Sequence, residues 1–190
     1  KAWYVDAGLI DIFRPVFADP TKTLVGLNVK FDRAVLHRYG VGIASTPHDV
    51  MLAHYCLDAA ARHGMDLLAE QYLGYRTIRF GEVAGEQERG KSEPTLFGKD
   101  IAKVTDYAAE DADITLQLED AIRPSALSLS SSVSGPSVLP DVEEPLVKVL
   151  LEMERAGVRV DVAALKEYGQ RLDREILGYT QEILRYAEPG

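Results

Sequence analysis

Over residues 1–124, short apolar runs alternate with segments whose apolar residues recur every three to four positions. That alternation confines the chain to an α/β architecture, with short buried strands between amphipathic helices. Ala2-Trp3-Tyr4-Val5 reads as a strand, and residues 9–18 as a helix that contains Pro15. Asp19-Pro20-Thr21 is a turn, and Thr23–Leu27 a short buried strand. A helix over 29–39 stops at Gly40, since glycine suits the position just past a helix end. Asp49 is placed to cap a helix over 50–61. A further helix over 65–73 stops at Gly74. Residues 81–98, rich in Gly, Glu and Lys, read as an exposed loop, and 105–122 as a helix with Pro124 just beyond it.

The composition then shifts. Residues 125–140 hold seven Ser, one Gly and two Pro, which marks a linker between a domain over 1–124 and a second region over 141–190. In that region Asp141 and Glu144 form a capping pattern for a helix that ends at Gly157. Val158–Val160 reads as a short strand. Asp161 caps a long amphipathic helix with Leu165, Tyr168, Leu172, Ile176, Tyr179 and Ile183 on one stripe.

A lone Cys56 excludes a disulfide framework and a cysteine metal site. No run approaches the 18 apolar residues of a membrane span, and no leader opens the chain, so a cytoplasmic setting is expected. With 21 basic and 30 acidic residues the net charge is −9, against the basic excess of a generic nucleic-acid binder. Acidic proteins still handle DNA when their carboxylates hold metal ions, so charge alone decides nothing.

The informative residues are two aspartates on the apolar sides of helices. On the 105–122 helix, Asp106, Glu110, Asp113, Gln117 and Asp120 share a solvated stripe, opposite Ala108, Thr115, Leu118 and Ile122. Asp111 falls with the second group, one turn after Tyr107, while Glu119 drifts inward near the expected frayed end. On the 29–39 helix, Asp32 falls among Val29, Val35, Leu36 and Tyr39, away from Lys30, Arg33 and His37. An inward carboxylate costs several kcal/mol unless it is paired, hydrogen-bonded or bound to a metal. Capping or pairing with Arg is one outcome, and hard divalent cations serving phosphoryl chemistry are the other. The four histidines lack the spacing of a zinc site, and His54 reads as a packed or capping residue. Arg62 and Phe80 are unremarkable by spacing alone.

Val25-Gly26-Leu27-Asn28-Val29-Lys30-Phe31-Asp32 resembles the second exonuclease motif of the bacterial DNA polymerase I family (family A). Tyr107-Ala108-Ala109-Glu110-Asp111-Ala112-Asp113 resembles its third motif, in the form with Tyr four residues before Asp. Arg62–Ala69, Thr77–Phe80 and the stretch from Glu144 to Val158 also follow the family, the last resembling the entry into the polymerase domain. The resemblance implies a ribonuclease-H-like fold for residues 1–124 and a proofreading 3′→5′ exonuclease acting on the single-stranded 3′ end of DNA. It implies a two-metal site for Mg²⁺ or Mn²⁺, with Asp32 and Asp111 as two of four carboxylate ligands. Tyr107 matches the residue that positions the attacking water. Asn28 and Arg62 match residues beside the bound strand, and Phe80 an aromatic contact to the terminal bases.

Two departures accompany the match. The paired Asp-x-Glu of the first motif is absent, so the chain reads as a fragment, itself inactive, that begins downstream of it. Leu27 and Phe31 stand where part of the family has more polar residues. The rival reading is a non-catalytic scaffold of the same fold that supports the polymerase. The expected partners are DNA, the remainder of the polymerase chain, and a second copy joined through the strand edge at residues 2–5; the expected location is the bacterial cytoplasm, at the nucleoid.

Overall fold

The computed structural model describes residues 5, 7–85, 94–130 and 137–187. The expected strand at Ala2–Val5, and the dimer edge it would offer, lie outside the described residues except for Val5. A 3-10 segment, Ala7–Phe13, leads into the short helix α1, Arg14–Phe17. The continuous 9–18 helix is thus broken. Pro15 sits in the first turn of α1, where its missing N–H is not needed, and it bars the α-helix from running through it.

Strand β1, Val25–Gly26, pairs in parallel with β2, His48–Asp49, with Val25 opposite His48 and Gly26 opposite Asp49. Among the described residues this two-stranded ladder is the whole of the sheet, so the α/β alternation takes a mostly helical form. Helix α2, Val29–Arg38, connects the two strands, and Gly40 follows it at φ +68° as the spacing predicts. Helix α3, Val50–Leu57, starts at the Asp49 cap but stops short of residue 61. Asp58 ends it, accepting from Ala60 N at 3.1 Å in a local turn that competes with the helix.

Helix α4, Met65–Leu68, widens into a π-helical turn, Ala69–Leu73, closed by Gly74 at φ +63°. Part of the expected exposed loop is helical instead, as α5, Phe80–Ala84. Helix α6 spans Ile101–Ser130, with Pro124 inside it rather than beyond its end. Ile122 and Ala126, on either side of that proline, are fully buried, and their packing carries the helix across the missing hydrogen bond. Ala126 and Leu139, both from the Ser-rich stretch, join Val50, Ala53, Leu68, Ala69, Ile114, Leu118 and Ile122 in one core.

A π-helical turn, Val138–Glu143, precedes helix α7, Glu144–Ala156, and Gly157 ends it at φ +69°. The expected strand at 158–160 is not formed. Helix α8, Val162–Ala187, is capped by Asp161, whose Oδ1 accepts from Ala164 N at 3.0 Å. The chain divides into two compact units, Lys1–Glu152 and Met153–Gly190. No helix among the described residues is long and apolar enough to cross a membrane.

Candidate functional site

The turn from β1 into α2 is built around one carboxylate. Asn28 adopts a left-handed conformation at φ 64° and makes no side-chain cap bond. Asp49, almost fully buried, supplies the missing acceptors. Its oxygens accept from Asn28 N at 3.1 Å and Val29 N at 2.9 Å, and also from Met51 N at 2.9 Å and Leu52 N at 3.4 Å. One side chain therefore satisfies the first amide groups of two helices.

Asp32 lies on the first turn of α2. A Cβ added at Gly26 would meet its Oδ2 at 3.6 Å, so the carboxyl lies over β1. Burial of the carboxyl, then the charge of Asp49, pushes its pKa up. The residue as a whole is exposed, which corrects the interior placement read from the helical wheel. Only Val29 is buried on α2; Leu36 is half-buried, and Val35 and Tyr39 on the supposed core side are exposed, so that apolar face is not a core face among the described residues.

On α6, one helical turn separates Tyr107 from Asp111, and the Tyr107 hydroxyl donates to the Asp111 carboxylate. Burial is the main cause that raises the Tyr107 pKa to about 12, and Asp111 adds to it, so the hydroxyl stays protonated and donating through the neutral range. Burial also raises the Asp111 pKa; Glu110 and Asp66 push the same way, and the Tyr107 hydrogen bond opposes them. The Phe80 ring meets the Tyr107 ring edge to face, with centroids 6.3 Å apart.

The segment that carries Phe80 is tied down from two sides. Glu110 accepts from the Tyr75 hydroxyl at 2.6 Å and from Ile78 N at 2.7 Å. Asp66 accepts from Thr77 Oγ1 at 2.9 Å. Tyr107, Asp111 and Phe80 are thus brought together, with Asp66 and Glu110 as neighbours the sequence did not single out. Glu110 is placed by the wheel on the solvated stripe, but the segment over 75–78 folds back onto that side of α6. Asn28 and Asp32 instead share the environment of Asp49, and Arg62 is exposed beside Leu67, Glu70 and Gln71.

The described residues do not by themselves fit a divalent ion. No group of three or more His, Cys, Asp or Glu among them could hold one. The neighbours of Asp111 and Asp32 are already engaged: Asp66 with Thr77, Glu110 with Tyr75 and Ile78, and Asp49 with four amide groups. Asp32 and Asp111 are each left as single ligands.

Away from this site, His54 is a buried, packed residue, as its spacing suggests. His54 and His63 approach Nδ1 to Nδ1 at 2.7 Å, and His54 packs edge-on against Tyr72. Glu119, far from the end of α6, is buried against His48 Nδ1 at 2.7 Å and Arg123, which also forks onto Glu144 at 2.5 and 3.0 Å.

The family model for the 3′-5′ exonuclease matches residues 2–126, a span that holds Asn28, Asp32, Arg62, Phe80, Tyr107 and Asp111. The chain belongs to the 3′-5′ exonuclease domain family of DNA polymerase I. The exonuclease-family chain is 40% identical over 166 residues to the DNA polymerase I of Pseudomonas aeruginosa, covering 84% of this chain and 18% of that protein. It is 39% identical over 171 residues to the DNA polymerase I of Rhizobium leguminosarum, covering 90% of this chain and 16% of that protein. Since 171 residues exceed the exonuclease span, that similarity continues past residue 126. The chain thus spans less than one fifth of the length of these relatives. Among solved structures, it is similar in fold to the POL domain of Pol1 from M. smegmatis in complex with DNA primer-template and dNTP. The TM-score is 0.64 at 21% identity, over 92% of this chain and 26% of that one.

Proposed function

We propose that this exonuclease-family chain holds the single-stranded 3′ end of DNA for proofreading hydrolysis within a bacterial DNA polymerase I. The observation that carries the reading is the Tyr107 hydroxyl fixed on Asp111 with the Phe80 ring against it, inside the span that matches the family. Phe80, partly exposed, offers a ring on which any terminal base can stack, and such stacking is tolerant of sequence. Asn28 and Arg62, both exposed, are the proposed contacts to the strand. Tyr107, protonated at neutral pH and with its one proton given to Asp111, keeps an oxygen lone pair that can accept from a water beside the terminal phosphodiester and so orient it.

Asp32 and Asp111 are the proposed ligands of Mg²⁺ or Mn²⁺ in the assembled polymerase, with the remaining ligands lying beyond the described residues. The parallel strand pair flanked by helices is compatible with a ribonuclease-H-like domain over 1–124, ahead of a connection over 125–140 that packs on the core through Ala126 and Leu139, and polymerase-domain helices over 141–190. The expected setting is the bacterial cytoplasm, with the nucleoid. A homodimer through the strand edge at residues 2–5 is a further part of the proposal, tested by sedimentation at rising concentration.

In a full-length polymerase carrying this domain, Asp32→Ala and Asp111→Ala are expected to abolish 3′ trimming of a labelled single strand. Tyr107→Phe slows it by about 10²–10³, the cost of one well-placed hydrogen-bonding group. Polymerase activity survives all three changes. Trimming at the wild-type rate by the Asp111→Ala protein would overturn the assignment. The 190-residue chain alone is expected to trim slowly or not at all, because the first-motif Asp-x-Glu pair, which the family resemblance implies as two further ligands, is absent from its residues 2–126.

A further inference from the structure

We propose that Glu110 is a positioning residue, which sets the Phe80 ring against Tyr107 by holding the Tyr75–Ile78 segment to α6. The inference rests on the reading of Phe80 as the base-stacking ring. Glu110 shares its helical stripe with Asp106 and Asp113, which are exposed, but it is half-buried, and both its oxygens are used. Oε1 accepts from the Tyr75 hydroxyl at 2.6 Å, and Oε2 from the backbone of Ile78 at 2.7 Å. The second bond fixes main chain two residues before Phe80. Both are bonds to an ionised acceptor, which are shorter and stronger than neutral ones.

Tyr107 and Glu110 are three residues apart on one helix, so they lie on neighbouring parts of its surface. The turn of α6 that presents Tyr107 therefore also anchors the segment that delivers Phe80. Thr77 Oγ1 on Asp66 is a second, separate tie on the same segment, which keeps it folded when the first is cut. Glu110 acts on the pair of rings through the backbone of the segment it holds. Without it, Phe80 keeps its chemistry but not its place.

The test uses the 190-residue chain and a single-stranded oligonucleotide with 2-aminopurine at its 3′ end, whose fluorescence is quenched when the terminal base stacks. Phe80→Ala is expected to weaken binding about tenfold, the loss of one stacked base, and to restore the fluorescence. Glu110→Ala does the same, and the double variant is no weaker than Phe80→Ala alone. Glu110→Gln stays within about twofold of wild type, because its amide oxygen still accepts from Ile78 N and its NH₂ donates to the Tyr75 oxygen.

Wild-type affinity and quenching in Glu110→Ala would overturn the positioning role while leaving the stacking role of Phe80 intact. So would a further tenfold loss on adding Glu110→Ala to Phe80→Ala. An unchanged signal in Phe80→Ala would overturn the stacking reading and this inference with it. Thermal melts separate loss of fold from loss of position. Should Glu110→Ala not fold, Tyr75→Phe decides, since it removes one hydroxyl from an exposed ring; it is expected to weaken binding about threefold, and unchanged binding would sink the proposal.

Discussion

Asp111 carries its charge in surroundings that disfavour it. Burial raises its pKa first, and Glu110 and Asp66 add repulsion, against the single opposing hydrogen bond from Tyr107. A carboxyl whose pKa is raised by folding favours the folded state while protonated, and that advantage is lost as pH climbs through the folded pKa. Near neutrality the ionised group is therefore a net cost. Asp111→Asn removes the charge and keeps an oxygen for the Tyr107 hydroxyl. It is expected to raise Tm at pH 7, by about 2–4 °C for each kcal/mol relieved, with the gap to wild type closing as the pH falls towards about 4. Thermal melts between pH 4 and 8 check this, and a lower Tm for the variant at pH 7 contradicts it. The direction of Asp111, half-buried, was legible from the helical wheel, because Thr115, Leu118 and Ile122 on its side are buried, although Ala108 is exposed. The role of Glu110 was not legible. A wheel gives direction but not what packs there, and here the 75–78 segment covers a stripe that looks solvated.

At the scale of elements, caps and stops were read well, and interruptions were not. Asp49 was recognisable as the cap of α3, and the glycines after α2 and α7 mark those helix ends. What no local pattern reveals is that Asp49 also serves the start of α2, because the two amide groups come from 20 and 21 residues away. Losing a cap costs about 1–2 kcal/mol, and leaving two further amides without their acceptor adds to that, so Asp49→Ala is expected to lose about 2–4 kcal/mol. Asp49→Asn is nearly as damaging, since its NH₂ would face N–H donors. Urea unfolding midpoints measure both, and a loss under about 1 kcal/mol for Asp49→Ala contradicts the double role. Pro124 misled for the opposite reason. Proline marks a helix end by local sterics, whereas Ile122, Ala126 and Leu139 gain more from staying in the core than the helix loses there. The extension also explains Glu119, which sits mid-helix beside Arg123 with Glu144 brought up to complete the buried pairing.

At the scale of the whole chain, stability is unevenly distributed between the two units. The unit ending at Glu152 holds the core, with Leu68, Leu118, Ile122 and Leu139 fully buried. In the unit from Met153 onward, Gly169 alone among the described residues is less than exposed. The apolar stripe of α8 was legible at its 3.6-residue spacing, but a stripe does not say what lies against it, and Leu165, Tyr168, Ile176, Tyr179 and Ile183 are all exposed. A helix without a packed face depends on its own propensity, which is marginal in water even for good helix formers. Gly169 and Gly178 within α8 lower that propensity by about 1 kcal/mol each. Segments that open at low cost are cut first by proteases. Brief chymotrypsin treatment of the 190-residue chain is therefore expected to cleave after the exposed Tyr168 or Tyr179 before it cleaves after Leu118, which is fully buried in the middle of α6. Mass spectrometry of the fragments gives the order of cuts. Cleavage after Leu118 before Tyr168 would mean that α6 opens more readily than α8, and that the stability of this chain is not set by the core around Leu118 and Ile122.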